Sequence, residues 1–209
     1  MEQLVQKFIS NPCMFIGFFS GRIIFVMILC IFLYSNQFFW IWVYILLYVM
    51  NYQLIIFLQK LLQDPRPTNG KQFIESEFHN SEAYGMPSGH TQTIFFSLVF
   101  FYMVTRSIPW LLIMLFIAIC TVSQRLIYRK HTVLQIIVGG IIGSSLGYGS
   151  YLLINDYKKN GYIIYNNNYV SKWFNQLQKI IQCVIRTEKI RFSIIISRLH
   201  YVQTIHFRK

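Results

Sequence analysis

The stretch "YGMPSGHTQ", residues 84–92, stands between two strongly apolar regions of a 209-residue chain. Its proline interrupts any helix that precedes it, and its Ser-Gly pair suits the start of a new one. Its histidine brings a titratable group to that start. Residues 91–105 then continue as an apolar helix. A kinked, polar segment at the entrance of a hydrophobic helix fits a chain whose apolar runs cross a membrane.

Composition agrees. Hydrophobic residues make up 55% of the chain, aromatic ones 18% and charged ones 12%, against about 25% charged in an average soluble domain. A spanning helix needs about 20 predominantly apolar residues. Residues 13–34 supply them, interrupted only by Arg22. That run is longer than a signal peptide's apolar region and lacks a small-residue cleavage site, so it is expected to be retained. Further runs cover 38–58, 91–105, 110–124 and 133–154. Asn51 and Gln53 in the second are expected to face other helices rather than lipid. The last carries Gly139, Gly140, Gly143, Ser144, Ser145 and Gly147, a small-residue pattern that lets helices approach closely. The expected fold is all-α, a polytopic membrane helical bundle of about five spans over residues 1–156.

Residues 157–209 form a basic tail, with ten Lys or Arg against Glu188 alone, nine of the twelve net positive charges. Such a balance attracts nucleic acid or an anionic membrane surface. Beside long apolar runs the membrane surface is the partner expected, and nucleic acid is not. Cys13, Cys30 and Cys120 lie in apolar runs and read as small buried hydrophobes; no spacing suggests a metal site or a disulfide framework.

Between the second and third runs, residues 59–86 carry Pro65, Pro67, the Asn69–Gly70 pair and the acidic Asp64, Glu75, Glu77 and Glu82. These end a helix and make a loop. Alternating spans bring this loop and residues 125–131 to one side of the membrane and the tail to the other. Lys158 and Lys159 favour the cytosol for the tail, so the polar clusters are expected on the lumenal or exterior face.

Three segments on that side carry groups suited to phosphate. "QKLLQDPRP" (59–67) offers Lys60 and Arg66; "PSGH" (87–90) offers the Ser88 hydroxyl, the Gly89 amide and His90; "QRLIYRKH" (124–131) offers Arg125 and His131. Guanidinium groups pair with phosphate oxygens in a bidentate fork. A glycine amide at a helix start lets an anion approach the positive end of the dipole. Two histidines supply a nucleophile and a proton donor. Each residue alone has an ordinary explanation, as a snorkelling cation, a capping serine or a structural histidine. Their order on one side points to phosphoryl transfer. Arg125 and His131 are six residues apart, about 120° on a helix, so the chain between them must turn.

The ordered set "RP … PSGH … R-x5-H" resembles the type 2 phosphatidic acid phosphatase superfamily of membrane lipid phosphatases, over about residues 51–147. "YGMPSGHTQ", "QDPRP", and "HTVLQ" followed by "GG" look most like its dolichyldiphosphatase branch. The resemblance implies metal-independent chemistry with no cofactor. His131 would attack phosphorus and become a phosphohistidine, and His90 would protonate the leaving oxygen and then help activate water. Arg66, Arg125, Ser88 and the Gly89 amide would hold the phosphate oxygens. Most members have Asp four residues after the nucleophile; here Gln135 stands on the same helical face, able to accept from His131 Nδ1–H. Two positions depart from the pattern. Gln59 stands where the superfamily has lysine, with Lys60 beside it and expected to take over that role, and Gln124 stands where the family has serine.

The implied activity is hydrolysis of dolichyl diphosphate to dolichyl phosphate and phosphate on the lumenal face of the endoplasmic reticulum, recycling the carrier lipid for protein N-glycosylation. The alternatives are a phosphatase of phosphatidic acid or another polyprenyl diphosphate, and a catalytically inactive membrane scaffold.

Overall fold

A computed structural model describes residues 10–71, 73 and 84–160, together with Gln6. The expected basic tail beyond residue 160 lies outside the described residues, as do Glu75, Glu77 and Glu82.

Five helices follow in chain order: α1 Pro12–Tyr34, α2 Phe38–Leu62, α3 Gly89–Thr105, α4 Ile108–Ile127 and α5 Val133–Lys159. Their ends follow local chemistry. Proline stands in the first turn of α1 and α4, where its missing N–H has no helical partner to lose. Gln63 closes α2 in the left-handed conformation, φ 49°. Arg106, φ 53°, and Ser107 turn α3 into α4. Thr132 opens α5 with a capping box, its hydroxyl accepting from Gln135 N and its own N–H donating to the Gln135 side chain.

Helices α1, α2, α4 and α5 are each long and apolar enough to cross a membrane. Trp42, Leu46, Phe57, Ile119 and Leu153 project from them more than half exposed, a surface that only lipid tails solvate favourably. The chain is a multi-pass membrane protein built as a helical bundle. The fifth expected span, α3, is shorter than these four. Its 17 residues rise about 25 Å, short of a hydrocarbon core of about 30 Å. It is the central helix and touches each of the other four, so protein buries its Thr91, Gln92 and Ser97.

Helices α3 and α5 pack most intimately, along a glycine stripe. A Cβ on Gly139 would lie 2.8 Å from the Ser88 carbonyl oxygen, and one on Gly147 2.6 Å from that of Phe96; one on Gly143 would strike the Gln92 carbonyl. Backbones approach this closely only where side chains are absent. On the other flank of α3, Tyr44, Phe96 and Phe100 stack with centroids 6.0–6.2 Å apart, and Tyr44 Oη lies 3.0 Å from Ser97 Oγ. Asn51 is buried as expected, accepting from Gln92 Nε2 at 2.9 Å and donating to Thr93 Oγ1 at 3.2 Å. Gln53 is exposed instead. Two residues further round a helix is about 200°, which turns it away from α3.

Helix α1 packs on α4 through Gly17, whose Cβ would meet the Cys120 carbonyl and the Gln124 side chain. Cys120 is buried, with its Sγ 2.7 Å from that of the half-buried Cys13. Cys30 corrects the expectation of three buried cysteines: it is exposed, on a helix whose outer face meets lipid.

Candidate active site

The end of α2, the start of α3, the end of α4 and the start of α5 meet at one end of the bundle, laced together by backbone bonds. Pro65 and Tyr84 form an isolated antiparallel bridge. Gly85 N donates to Asp64 O at 2.6 Å, Ser88 N to Gln135 O at 3.0 Å, and Lys71 N to Tyr128 O at 2.8 Å. The three polar segments are thereby gathered around His131.

His131 follows the turn that its spacing from Arg125 demands. Helix α4 stops at Ile127, Arg129 adopts φ 50°, and Lys130 N reaches back to Arg125 O at 2.9 Å. The imidazole is 4% exposed. Its Nδ1 lies 3.0 Å from Gly85 O and 3.2 Å from Gln135 Oε1. A carbonyl can only accept, so Nδ1 carries the hydrogen and Nε2 keeps the lone pair. The same reasoning orients the Gln135 amide. Its oxygen accepts from Thr132 N at 3.1 Å, a group that can only donate. Its nitrogen donates to Asp64 Oδ2 at 2.6 Å and to Pro65 O at 2.9 Å. Burial, then the charges of Arg66 and Arg125, lower the His131 pKa to about 3 against the smaller opposing effect of its bonds to Gln135 and Gly85. The ring is neutral at physiological pH, as a nucleophile requires.

Gly85 makes this arrangement possible, because a Cβ there would sit 2.6 Å from Gln135 Oε1 and 2.7 Å from its Nε2. Arg66 Nε donates to Tyr84 O at 3.3 Å, which holds its guanidinium beside the loop. Arg125 is 4% exposed. His90, in the first turn of α3, is exposed as a residue, yet desolvation of its ring, then the charges of Arg125, His131 and Arg66, hold its pKa below the ordinary histidine value. Ser88 is buried with Oγ 3.0 Å from Thr91 Oγ1, so its hydroxyl turns along α3. Gly89 is half-buried, with Ile55 Cγ2 3.2 Å from where its Cβ would be. By helix geometry the first N–H groups of α3 have no helical acceptor. Gln124 is fully buried against Gly17, its side-chain amide without a hydrogen bond among the described residues.

Lys60 is not brought to this cluster. It is exposed, whereas Gln59 is 4% exposed and donates from Nε2 to Pro87 O at 3.1 Å. Helix α2 stays regular as far as Leu62, so nothing rotates Lys60 inward and it does not take over the role expected of it. Neighbouring helical residues point about 100° apart, and the inward direction belongs to Gln59. Accordingly, Lys60→Ala should leave kcat within about twofold of wild type, while Gln59→Ala should cost about 1–3 kcal/mol of stability by orphaning Pro87 O. A Lys60→Ala enzyme slowed tenfold or more in a lipid phosphatase assay would return the lysine to the site.

Residues 40–159, more than half of the chain, match the PAP2 superfamily. The chain belongs to that superfamily. No curated protein and no solved structure matches it. Membership makes this PAP2 protein a membrane-embedded hydrolase of the lipid phosphatase kind. The match spans the polar segments of α2 to α5 and omits α1 and everything beyond residue 159.

Sequence reasoning missed one residue of this PAP2 site. Asp64 belongs to the acidic loop and to the "QDPRP" motif, neither of which assigns it a role, yet its carboxylate holds the Gln135 amide. The signal available was chemical: a glutamine that accepts from a histidine presents its NH2 on the other side, and that group needs an acceptor.

Proposed function

We propose that this protein hydrolyses dolichyl diphosphate to dolichyl phosphate and phosphate at the lumenal face of the endoplasmic reticulum membrane, recycling the carrier lipid for N-glycosylation. The observation that carries the chemistry is the buried neutral His131, with Nδ1 tied to Gly85 O and Gln135 and Nε2 left as the lone-pair nitrogen. The branch rests on "YGMPSGHTQ", "QDPRP" and "HTVLQ", and on Gln135 at the place where most of the superfamily has Asp.

In this reading Nε2 of His131 attacks the terminal phosphorus as the bond to the bridging oxygen breaks. Arg66 and Arg125 neutralise charge on the equatorial oxygens, the term that dominates such reactions, with Ser88 and the Gly89 amide at the helix start as further donors. The negative charge of the bound diphosphate offsets the arginines around His90, which then takes up the proton that it passes to the departing dolichyl phosphate. His90 then takes a proton from water, which attacks the phosphohistidine and releases inorganic phosphate and a free His131. Two guanidinium groups do the charge neutralisation that a metal ion does elsewhere, and no metal or cofactor takes part. The apolar outer surface leaves the polyprenyl tail in the bilayer.

The test is phosphate release from dolichyl diphosphate, a second polyprenyl diphosphate and phosphatidic acid by purified protein in EDTA, repeated on sealed microsomes. Dolichyl diphosphate should be cleaved fastest, in EDTA, and only after the microsomes are opened. Faster cleavage of phosphatidic acid would replace the substrate, and release from none would leave a scaffold. Activity lost in EDTA and restored by magnesium would overturn the mechanism. Full activity towards substrate added outside sealed vesicles would move the site to the cytosol.

A further inference from the structure

His131, Gly85, Asp64 and Gln135 form a closed ring of hydrogen bonds. His131 Nδ1 donates to Gly85 O at 3.0 Å, and Gly85 N donates to Asp64 O at 2.6 Å. Asp64 Oδ2 accepts from Gln135 Nε2 at 2.6 Å, and Gln135 Oε1 returns to His131 Nδ1 at 3.2 Å. Asp64 therefore enters twice, once through its main chain and once through its carboxylate. The carboxylate bond joins residues 71 positions apart, and a carboxylate acceptor makes it a charge-assisted bond.

Gln135 is neutral, and by itself offers a phosphorylated imidazole no compensating charge. When Nε2 of His131 bonds to phosphorus, positive charge spreads over the ring and the Nδ1–H becomes a stronger donor. A carboxylate bonded to the amide NH2 polarises the amide, making Oε1 more negative where that charge appears. We propose that Asp64 is a positioning residue for His131. Its carboxylate acts through Gln135, so that a His–Gln–Asp relay does what a direct His–carboxylate pair does. The inference rests on the phosphohistidine reading above and adds to it a residue that never touches the substrate.

Two variants test it, both read with dolichyl diphosphate in steady state and in a single turnover. Asp64→Asn keeps the size of the side chain and removes the charge. It should lower kcat about 10- to 100-fold, the usual effect of losing an outer partner of a reacting histidine. KM should stay within about threefold, and the single turnover should show slower formation of the phosphoenzyme. Asp64→Asn/Gln135→Asp moves the charge to the position next to the imidazole, with the new amide donating to the new carboxylate. It should regain kcat to within about tenfold of wild type, a recovery that a merely structural role for Asp64 does not produce.

Asp64→Asn at the wild-type rate overturns the relay. So does a folded double variant no faster than Asp64→Asn, and so does loss of folded protein in both variants, which would assign Asp64 to the fold. Wild-type protein inactive on every lipid phosphate would instead remove the function on which the relay rests.

Discussion

His131→Ala is expected to lower kcat on a lipid diphosphate by about 10⁴-fold or more, the scale on which a covalent nucleophile fails when removed. The argument is geometric. Nδ1 is occupied by two acceptors, burial and two arginines keep the ring neutral, and the ring follows a turn that brings it back beneath Arg125. The accompanying observation should be covalent. Wild type quenched in alkaline detergent during turnover of labelled substrate should hold phosphate on protein, stable to base and released by acid, while His131→Ala holds none. Alanine also orphans Gly85 O and one bond of Gln135, at a cost of about 1–3 kcal/mol. The comparison is therefore made on protein shown to be monodisperse in detergent, and His131→Asn serves as a polar replacement. Equal labelling of wild type and His131→Ala would remove the residue from the reaction.

The second large effect falls on the fold. Gly143→Val should yield little folded protein, and Gly143→Ala should already melt at lower temperature than wild type. The new Cβ would collide with the Gln92 carbonyl and lie 3.0 Å from both the Gln92 carbonyl carbon and Phe96 N. These are backbone atoms of the central helix, and no rotamer change can move them. Overpacking typically costs about 1–3 kcal/mol, more where nothing yields. Parting α3 from α5 would also strain the bond between Ser88 N and Gln135 O, which ties the site's two helix starts together. Gly149→Ala is the contrast: nothing lies within 4 Å of its Cβ, and alanine is a better helix former by about 1 kcal/mol. Identical melting of Gly143→Val and wild type would show that the stripe does not set the spacing.

The helices and the order of the polar segments were legible because both are local. Apolar runs and their breakers mark helix bounds within a few residues, so the expected 133–154 becomes Val133–Lys159 and the expected 110–124 becomes Ile108–Ile127. The pairing of His131 with Gln135 was legible for the same reason, since four residues on one helix face always meet. What was not legible depends on helix phase or on distant partners. Whether Gln59 or Lys60 points inward turns on a rotation of about 100°, which only the packing of α2 on Pro87 decides. The role of Asp64 needs a contact with residue 135, and the burial of α3 needs all four neighbours.

The connection between α3 and α4 is two residues long, Arg106 and Ser107. His90 and Arg125 are therefore the two tips of one hairpin, on arms that differ by about two residues, or about 3 Å of rise. The arms act as a ruler. Adding or removing a single residue in either would slide its tip by about 1.5 Å and swing it by about 100°, taking the imidazole or the guanidinium away from the cluster around His131. The interval between "PSGH" and the following arginine is therefore constrained in length as firmly as in residue type. Insertions and deletions in this chain are therefore not admissible within the helical arms between residues 90 and 125.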